Sequence, residues 1–176
     1  MRLFVAVSLP TRVVGMLRRL DRPAAARLRW TTPDQWHVTL RFLGEVADPG
    51  PAAAALAAVP AELRATGVVA VEAVLGPAVA WFPGRQVLQV PVAGLDGVAD
   101  AVARATASWD DQAPVGPFAG HLTLARVRGR EPGPAHLAGA ALRESWRVEE
   151  IELVSSTLGP GGSTYTVLAR VPLAPA

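Results

Sequence analysis

Apolar and polar residues alternate along several short segments of the chain, and most of these segments end at a proline or a glycine. Such alternation is typical of half-buried β-strands. Together with the continuous apolar run in residues 2–8, which suits a buried strand, it predicts seven or eight strands, at residues 2–8, 35–43, 68–74, 86–92, 120–127, 146–158 and 165–173, with shorter extended segments at 28–31 and 78–82. Apolar residues at helical spacing predict helices at 12–20, 51–65, 94–109 and 135–144, with Thr11 as a cap and Pro60 as a kink or break.

Strands and helices therefore follow one another with many hairpin-like neighbours, which predicts an α+β protein rather than a doubly wound α/β one. The chain has 176 residues, a length that suits one domain or two small lobes with a common core. No long segment rich in proline, glycine and serine divides it. We therefore expect residues 1–176 to form a single domain.

The first residues superficially resemble a short signal peptide, because Met1 and Arg2 precede the apolar segment 3–9. That segment is shorter than the apolar part of a typical signal peptide, and arginines follow it closely, so a first β-strand fits better. No uninterrupted run of 18 or more apolar residues occurs. We expect a soluble cytoplasmic protein that does not bind a membrane.

Composition removes several kinds of chemistry. The chain has no cysteine, which excludes disulfides, thiolate nucleophiles and cysteine metal sites. All 17 basic residues are arginines, and the absence of lysine excludes a Schiff-base lysine and a P-loop. Residues 1–45 carry a local charge of +5, and the rest of the chain carries −3. This asymmetry suits a phosphate ligand, but a genome biased towards arginine codons explains it equally well.

Two of the three histidines occur in the same local sequence, His37-Val38-Thr39-Leu40 and His121-Leu122-Thr123-Leu124. Both segments lie in predicted strands. In a strand, residues i and i+2 point to the same face, so each motif places an imidazole and a hydroxyl side by side. The repetition indicates two related halves that face each other across a cleft.

Two facing imidazoles can divide the roles of general acid and general base. Threonine hydroxyls can donate hydrogen bonds to the oxygens of a tetrahedral anion. This equipment suits in-line attack at phosphorus without a metal ion. A zinc site would need further ligands, and no acidic residue adjoins either histidine.

The paired motifs resemble those of the two-histidine (2H) phosphoesterase superfamily, and in particular the bacterial and archaeal RNA 2′,3′-cyclic phosphodiesterases, also called 2′-5′ RNA ligases. The resemblance runs from end to end. It includes the opening strand Arg2-Leu3-Phe4-Val5-Ala6-Val7, the segment Trp36-His37-Val38-Thr39-Leu40-Arg41-Phe42-Leu43-Gly44, the segment His121-Leu122-Thr123-Leu124-Ala125-Arg126, and the closing region 155–165.

This resemblance implies a bilobal α+β fold, with two mainly antiparallel sheets related by a pseudo-two-fold around a central cleft and helices outside. It also implies hydrolysis of a terminal 2′,3′-cyclic phosphate of RNA to a 2′-phosphate. We expect a monomer that uses no cofactor or metal ion. His37 would be the general acid and His121 the base, or the reverse, and Thr39, Thr123 and Arg126 would hold the phosphate. In the opposite direction, the same groups could join RNA ends by a 2′-5′ linkage.

The chain departs from the family pattern at one position and poses a problem at another. Gly120 precedes the second histidine, where the family often has proline, and a glycine loosens that approach. Strict alternation places Arg126 on the strand face opposite His121 and Thr123. A bulge or a twist at the end of the strand is needed to bring it into the cleft.

Other interpretations stay open at this point. The same chemistry could act on another substrate, such as a cyclic phosphate of ADP-ribose or a 2′-5′ oligonucleotide, or the chain could be a non-catalytic module that binds RNA or nucleotides. Arg41 shares the His37 face by alternation and is expected at the rim of the cleft. Phe42 or Trp81 could stack on a base. His136 is expected to be a surface residue.

Overall fold

The computed structural model describes residues 1–112, 116–159 and 162–173. Within these ranges ten strands form, in chain order β1 Arg2–Ser8, β2 Leu28–Trp30, β3 His37–Glu45, β4 Val71–Leu75, β5 Ala80–Trp81, β6 Val87–Ala93, β7 His121–Val127, β8 Glu144–Val148, β9 Glu150–Gly159 and β10 Gly162–Pro172. The helices are α1 Thr11–Arg18, α2 Gly50–Leu56, α3 Val59–Ala65 and α4 Asp96–Ala105. Short 3₁₀ segments occur at Pro33–Gln35, Ala107–Gln112 and Ala135–Leu137.

The strands form one curled sheet in the order β10-β9-β1-β3-β7-β6-β4-β8, with β2 beside β7 and β5 beside β6. The strand pairs between described residues are antiparallel. β3 and β7 stand at the centre of this order, with three strands beyond each of them. The predicted α+β fold is therefore confirmed, and the two antiparallel sheets that we expected are joined into one curled sheet.

The main hydrophobic core lies on one face of this sheet, under the helices. The inward residues of β1 are Leu3, Val5 and Val7, all at most 1% exposed. They share the core with helix residues such as Val13 and Leu17 of α1. The helices therefore cover one face of the sheet, and the opposite, curled face is left to form a cleft.

Two predicted elements are divided in the structure. The predicted helix 51–65 is two helices, α2 and α3, and Pro60 stands in the first turn of α3, where its missing N–H costs no hydrogen bond. The predicted strand 146–158 is also two strands, which separate at Glu149 because β8 pairs with β4 while β9 pairs with β1. The chain thus crosses there from one half of the sheet to the other.

The predicted helix at 135–144 is wrong. Only Ala135–Leu137 forms a 3₁₀ turn, and residues 138–143 are not helical. Ala141 pairs with Ala78, and the Leu142 amide donates to the carbonyl of Pro77 at 2.9 Å. These long-range backbone hydrogen bonds replace those of a helix. Among the described residues, no helix is long and apolar enough to cross a membrane.

Candidate active site

The two H-x-T segments lie on the two central strands of the sheet. His37 and Thr39 are on β3, and His121 and Thr123 are on β7. All four side chains line one cavity of about 540 Å³, together with Arg126. The structure thus brings the five residues predicted for the site into a single cleft.

The halves of the cleft are joined through one residue pair, Val38 on β3 and Leu122 on β7. Both side chains are completely buried and belong to the main core. Each is the central residue of its H-x-T motif, so the histidine and threonine on either side of it point to the other face of the sheet. This pair therefore anchors both motifs to the core, while their histidines and threonines face the cleft.

A bulge in β7 brings Arg126 into the cleft. Leu88 and Gln89, consecutive residues of β6, pair with Ala125 and Thr123, so Leu124 is the extra residue on β7. Alternation restarts beyond it, and Arg126 comes to the same face as Thr123. The bulge that the sequence required for a phosphate-binding Arg126 is present in the strand.

A matching bulge in β3 changes the position of Arg41. Val5 and Ala6 of β1 pair with Arg41 and Thr39, so Leu40 is the extra residue. The prediction that Arg41 lies at the cleft rim is wrong, because the bulge turns it to the core face. There it is only 7% exposed, and its Nη1 donates to the Ala103 carbonyl of α4 at 3.1 Å.

Phe42 takes the position in the cleft that alternation would have given to Arg41. It lines the cavity and is 53% exposed, which is unusual for a large aromatic side chain. Trp81 does not occupy the cleft: its ring packs against the backbone at Gly133, and its Nε1 donates to the Pro134 carbonyl at 3.1 Å. Of the two aromatic candidates, Phe42 is therefore the one beside the histidines.

The His37 ring is held from two directions. Its Nε2 lies 3.1 Å from the Thr39 Oγ1, and the backbone of Gln35 hydrogen-bonds to the ring. Because Nε2 faces the Thr39 hydroxyl, the hydrogen bond to the Gln35 backbone is made by Nδ1. Phe4 and Tyr165 pack on the ring with centroids at 4.8 and 5.0 Å.

Burial lowers the pKa of His37 to about 4, because the ring is largely withdrawn from water. The Gln35 hydrogen bond opposes this change, and the positive charges of His121 and Arg126 add to it. Beneath the ring lies a small apolar cluster of Phe4, Ala6 and Val154, with Tyr165 at its edge. In the free protein, His37 is therefore neutral at pH 7.

His121 is oriented in a similar way. Its Nδ1 lies 2.8 Å from the carbonyl of Ala119, and Phe82 packs on the ring edge-to-face with centroids at 4.7 Å. A carbonyl only accepts, so Nδ1 carries the proton and Nε2 of the neutral ring keeps its lone pair. Each histidine is thus hydrogen-bonded to the backbone two residues before it and packed by an aromatic ring.

Gly120 has a structural reason that the sequence did not show. Its carbonyl accepts from the Val92 amide at 2.8 Å, and a Cβ at this position would overlap the Val92 carbonyl oxygen. A glycine therefore allows the backbone entering β7 to lie close against β6, rather than simply loosening it.

Thr31 is a site residue that sequence reasoning missed. Its Oγ1 lies 2.8 Å from the Thr123 carbonyl and 2.9 Å from the Leu124 carbonyl, at the β7 bulge. The Trp36 Nε1 donates to the same Oγ1 at 3.0 Å. A threonine in the connection before β3 thus supports the bulge that positions Arg126, and no local pattern marks it.

The C-terminal hairpin also supplies residues that local patterns did not identify. Tyr165 and Ser163 of β10 line the cavity beside His37. The Gln35 side chain donates to the Ser163 carbonyl at 2.8 Å and ties the hairpin to the segment before β3. The predicted loop between β9 and β10 lies partly at residues 160–161, outside the described residues.

The third histidine, His136, is exposed in a 3₁₀ turn, as predicted. Among the described residues, no group of three or more histidine, aspartate or glutamate side chains is arranged to hold a metal ion. The two central strands present two imidazoles, two threonine hydroxyls and the Arg126 guanidinium to the cleft.

Comparisons with known proteins indicate the family that the H-x-T motifs resemble. Residues 5–81 match the family model described as LigT like Phosphoesterase. The chain is 33% identical over 98% of its length to a Thermus thermophilus protein named RNA 2′,3′-cyclic phosphodiesterase, of which 90% is covered.

Solved structures support the same family. TT0787 of Thermus thermophilus superposes with a TM-score of 0.81 at 30% identity, and 98% of each chain is covered. E. coli LigT in its complex with NADP⁺ superposes with a TM-score of 0.69 at 27% identity, covering 99% of this chain and 98% of that one. The chain therefore belongs to the LigT-like phosphoesterase family.

Proposed function

We propose that this phosphoesterase hydrolyses the 2′,3′-cyclic phosphate at the 3′ end of RNA, or of a free nucleotide, to a 2′-phosphomonoester without a metal ion. The observation that carries the proposal is the pair of H-x-T motifs, which present two imidazoles and two hydroxyls to one cavity on either side of the Val38–Leu122 pair. The name of the Thermus thermophilus relative supports the choice of substrate.

The cyclic phosphate would lie between the two strands. Its non-bridging oxygens would accept hydrogen bonds from the Thr39 and Thr123 hydroxyls, and Arg126 would neutralise the charge that grows on them in the transition state. These three residues hold the phosphorus in line with the attacking water.

His121 would act as the base and His37 as the acid. The unprotonated Nε2 of His121 accepts a proton from water while the water oxygen forms a bond to phosphorus. The bond from phosphorus to the 3′ oxygen breaks, and protonated His37 donates its proton to that oxygen. One proton enters at His121 and one leaves at His37, so a proton exchange with solvent resets the site.

An acid must carry a proton, yet His37 is neutral in the free protein at pH 7. A phosphate anion beside the ring raises the pKa of His37, because its negative charge stabilises the protonated ring against the burial and the repulsion from Arg126 that lower this pKa. Binding of the substrate therefore loads His37 with its proton. The Thr39 hydroxyl, which donates to the neutral ring, is then released to donate to the phosphate.

Phe42 would stack on the terminal base, since its exposed ring lines the same cavity.

We also propose that the chain works in the cytoplasm as a monomer and that residues 1–176 form one domain of two lobes. Both histidines and their supports come from one chain. The same groups run in reverse could join a 5′-hydroxyl to the cyclic phosphate.

The test is turnover of a nucleoside 2′,3′-cyclic phosphate in EDTA, with the product isomer identified by NMR. We expect the 2′-phosphate, and a loss of about 1000-fold in kcat for His37→Ala and for His121→Ala. His136→Ala is the matched control and should keep full activity, because His136 is exposed outside the cleft. Loss of wild-type turnover in EDTA would contradict the proposal, as would activity that survives in both site variants.

A further inference from the structure

A second concavity of about 280 Å³ opens beside the catalytic cleft. Three arginines line it, Arg29, Arg126 and Arg128, and we name it the arginine groove. It shares five lining residues with the catalytic cleft, Arg126 and Tyr165 among them, so the two cavities lie side by side. None of the described residues that line it is acidic. The groove therefore presents a positive surface directly next to the proposed phosphate site.

Strand geometry places these arginines on one face. Arg128 follows the end of β7, two residues after Arg126, and both side chains line the groove. Arg29 of β2 pairs directly with Arg126, and opposite residues of an antiparallel pair share a face. The three cations thus form a compact triangle rather than a scattered surface charge.

Packing places Arg29 at the edge of the groove. Its guanidinium lies against Gly162 at the start of β10, in the space that a Cβ of any other residue would fill. On the other side, Glu131 beyond β7 is paired with Arg27 at 2.6 Å.

The other end of the catalytic cleft has a different character. Leu3, Phe4 and Phe42 line it, and Arg2 there is paired with Glu45 at 3.1 Å. That end suits an apolar base, whereas the arginine groove suits an anion. The two ends therefore distinguish the parts of a bound nucleotide.

We propose that the arginine groove binds a second phosphate of the ligand, the 5′-phosphate of the nucleotide whose cyclic phosphate lies between the histidines. In RNA this group is the next phosphodiester towards the 5′ end. The proposal rests on the proposed function. Arg126 lines both cavities and Arg128 lines only the arginine groove, so a ligand that passes Arg126 out of the catalytic cleft meets Arg128 next. RNA would thus leave the cleft across Arg128, with its terminal base against Phe42.

The test compares adenosine 2′-monophosphate with adenosine 2′,5′-bisphosphate, two ligands that differ only in the 5′-phosphate. Their affinities are measured by calorimetry for the wild type, for Arg128→Gln and for Arg64→Gln. Arg128 lines only the arginine groove, and Arg64 is an exposed arginine on α3, so the second variant is matched in charge. Neither substitution touches the two H-x-T motifs.

We expect the wild type and Arg64→Gln to bind the bisphosphate about tenfold more tightly, as one charge-assisted contact provides. Arg128→Gln should bind both ligands equally, and added salt should reduce the wild-type preference. Equal wild-type affinities, or a preference that survives in Arg128→Gln, would overturn the proposal. Arg2→Gln, measured in the same way, should keep the preference, because Arg2 lies at the other end of the cleft. Loss of the preference in that variant would also overturn the proposal. Hydrolysis of the cyclic phosphate is measured separately, so a failure here is distinguishable from a failure of the proposed function.

Discussion

Phe42 and Arg126 occupy equivalent positions in the two halves of the cleft. Each stands two residues beyond the leucine at which its strand bulges, Leu40 in β3 and Leu124 in β7. Both side chains return to the cleft face there and line the cavity. The two halves thus share a backbone geometry but present different chemistry, an aromatic ring on one side and a cation on the other.

This difference predicts that substitutions at the two positions change different kinetic constants. Arg126→Gln should lower kcat roughly 10- to 100-fold, because the guanidinium neutralises charge that develops in the transition state. Phe42→Ser should raise KM roughly tenfold with kcat unchanged, because stacking holds the base equally before and during the reaction. Phe42→Tyr is the control and should retain a normal KM. Steady-state kinetics on a nucleoside 2′,3′-cyclic phosphate would refute this division if both variants changed only kcat.

The roles of the two histidines predict a dependence on the leaving group. In a cyclic phosphate with sulfur in place of the 3′ oxygen, the departing thiolate needs no proton. His37→Ala should therefore recover most of its lost activity on this substrate, whereas His121→Ala should not. Single-turnover rates for both variants on both substrates provide the measurement. Recovery in His121→Ala alone would show that the acid and base are the other way round.

Loading of His37 by the substrate predicts proton uptake on binding. A His121→Gln variant keeps His37 but should not turn over, so it can bind a nucleoside 2′,3′-cyclic phosphate at equilibrium. At pH 6 the pKa of about 4 leaves His37 neutral before binding, and we expect uptake of a substantial part of one proton per site. Calorimetry in two buffers of different ionisation enthalpy measures it. The same enthalpy in both buffers would contradict the loading step, and the double variant with His37→Gln should show no uptake.

The lowered pKa of His37 also predicts how stability depends on pH. The unfolded chain binds a proton at His37 near pH 6.5, but the folded protein binds it only near pH 4. Titration of His37 therefore leaves the free energy of unfolding unchanged above pH 6.5. As the pH falls towards 4 the unfolded chain takes up the proton first, and the free energy of unfolding decreases by as much as about 3 kcal/mol. Urea unfolding at pH 7 and at pH 4.5 measures the change. His37→Gln should lose less stability over this range than the wild type, and equal losses would show that burial of His37 does not destabilise its charged form.

The contact of Thr31 with the β7 bulge predicts an effect on catalysis beyond stability. Thr31→Val keeps the shape but removes the hydroxyl that serves two carbonyls and Trp36, at a cost of about 1–2 kcal/mol in the free energy of unfolding. With the bulge less well held, Arg126 is displaced and kcat/KM should fall roughly tenfold. Thr66→Val on the outer side of the protein is a matched control, since its hydroxyl also serves two carbonyls. It should leave kcat/KM unchanged, and an equal loss of kcat/KM in both variants would contradict a specific role for Thr31.

Local sequence patterns predicted most of the strands and both H-x-T segments, because alternation and the threonine and histidine spacing are properties of neighbouring residues. The bulges were harder to predict from the sequence. In β7 a bulge was required only if Arg126 binds phosphate, and in β3 nothing local showed that Arg41 turns inward towards the carbonyl of Ala103. A polar residue in an alternating segment is expected on the outer face, and here a contact from a distant helix outweighs that expectation.

The helix predicted at 135–144 failed for a related reason. Alanines and leucines in that segment favour a helix, but its backbone instead pairs with residues 77–79, about 60 residues earlier in the chain. The roles of Thr31 and Tyr165 were likewise invisible, because they arise only where separate parts of the chain meet. Short-range patterns predict which residues form strands, and long-range pairing decides what those residues touch.

The order of strands in the sheet has a consequence for how the protein comes into being. The half that carries His37 is built from β1 and β3 together with β9 and β10, which are the last strands along the chain. During synthesis, β3 leaves the ribosome more than a hundred residues before Tyr165, which packs on His37. An incomplete chain therefore lacks one wall of its catalytic cleft, so a nascent phosphoesterase has no finished site with which to act on RNA around the ribosome that makes it.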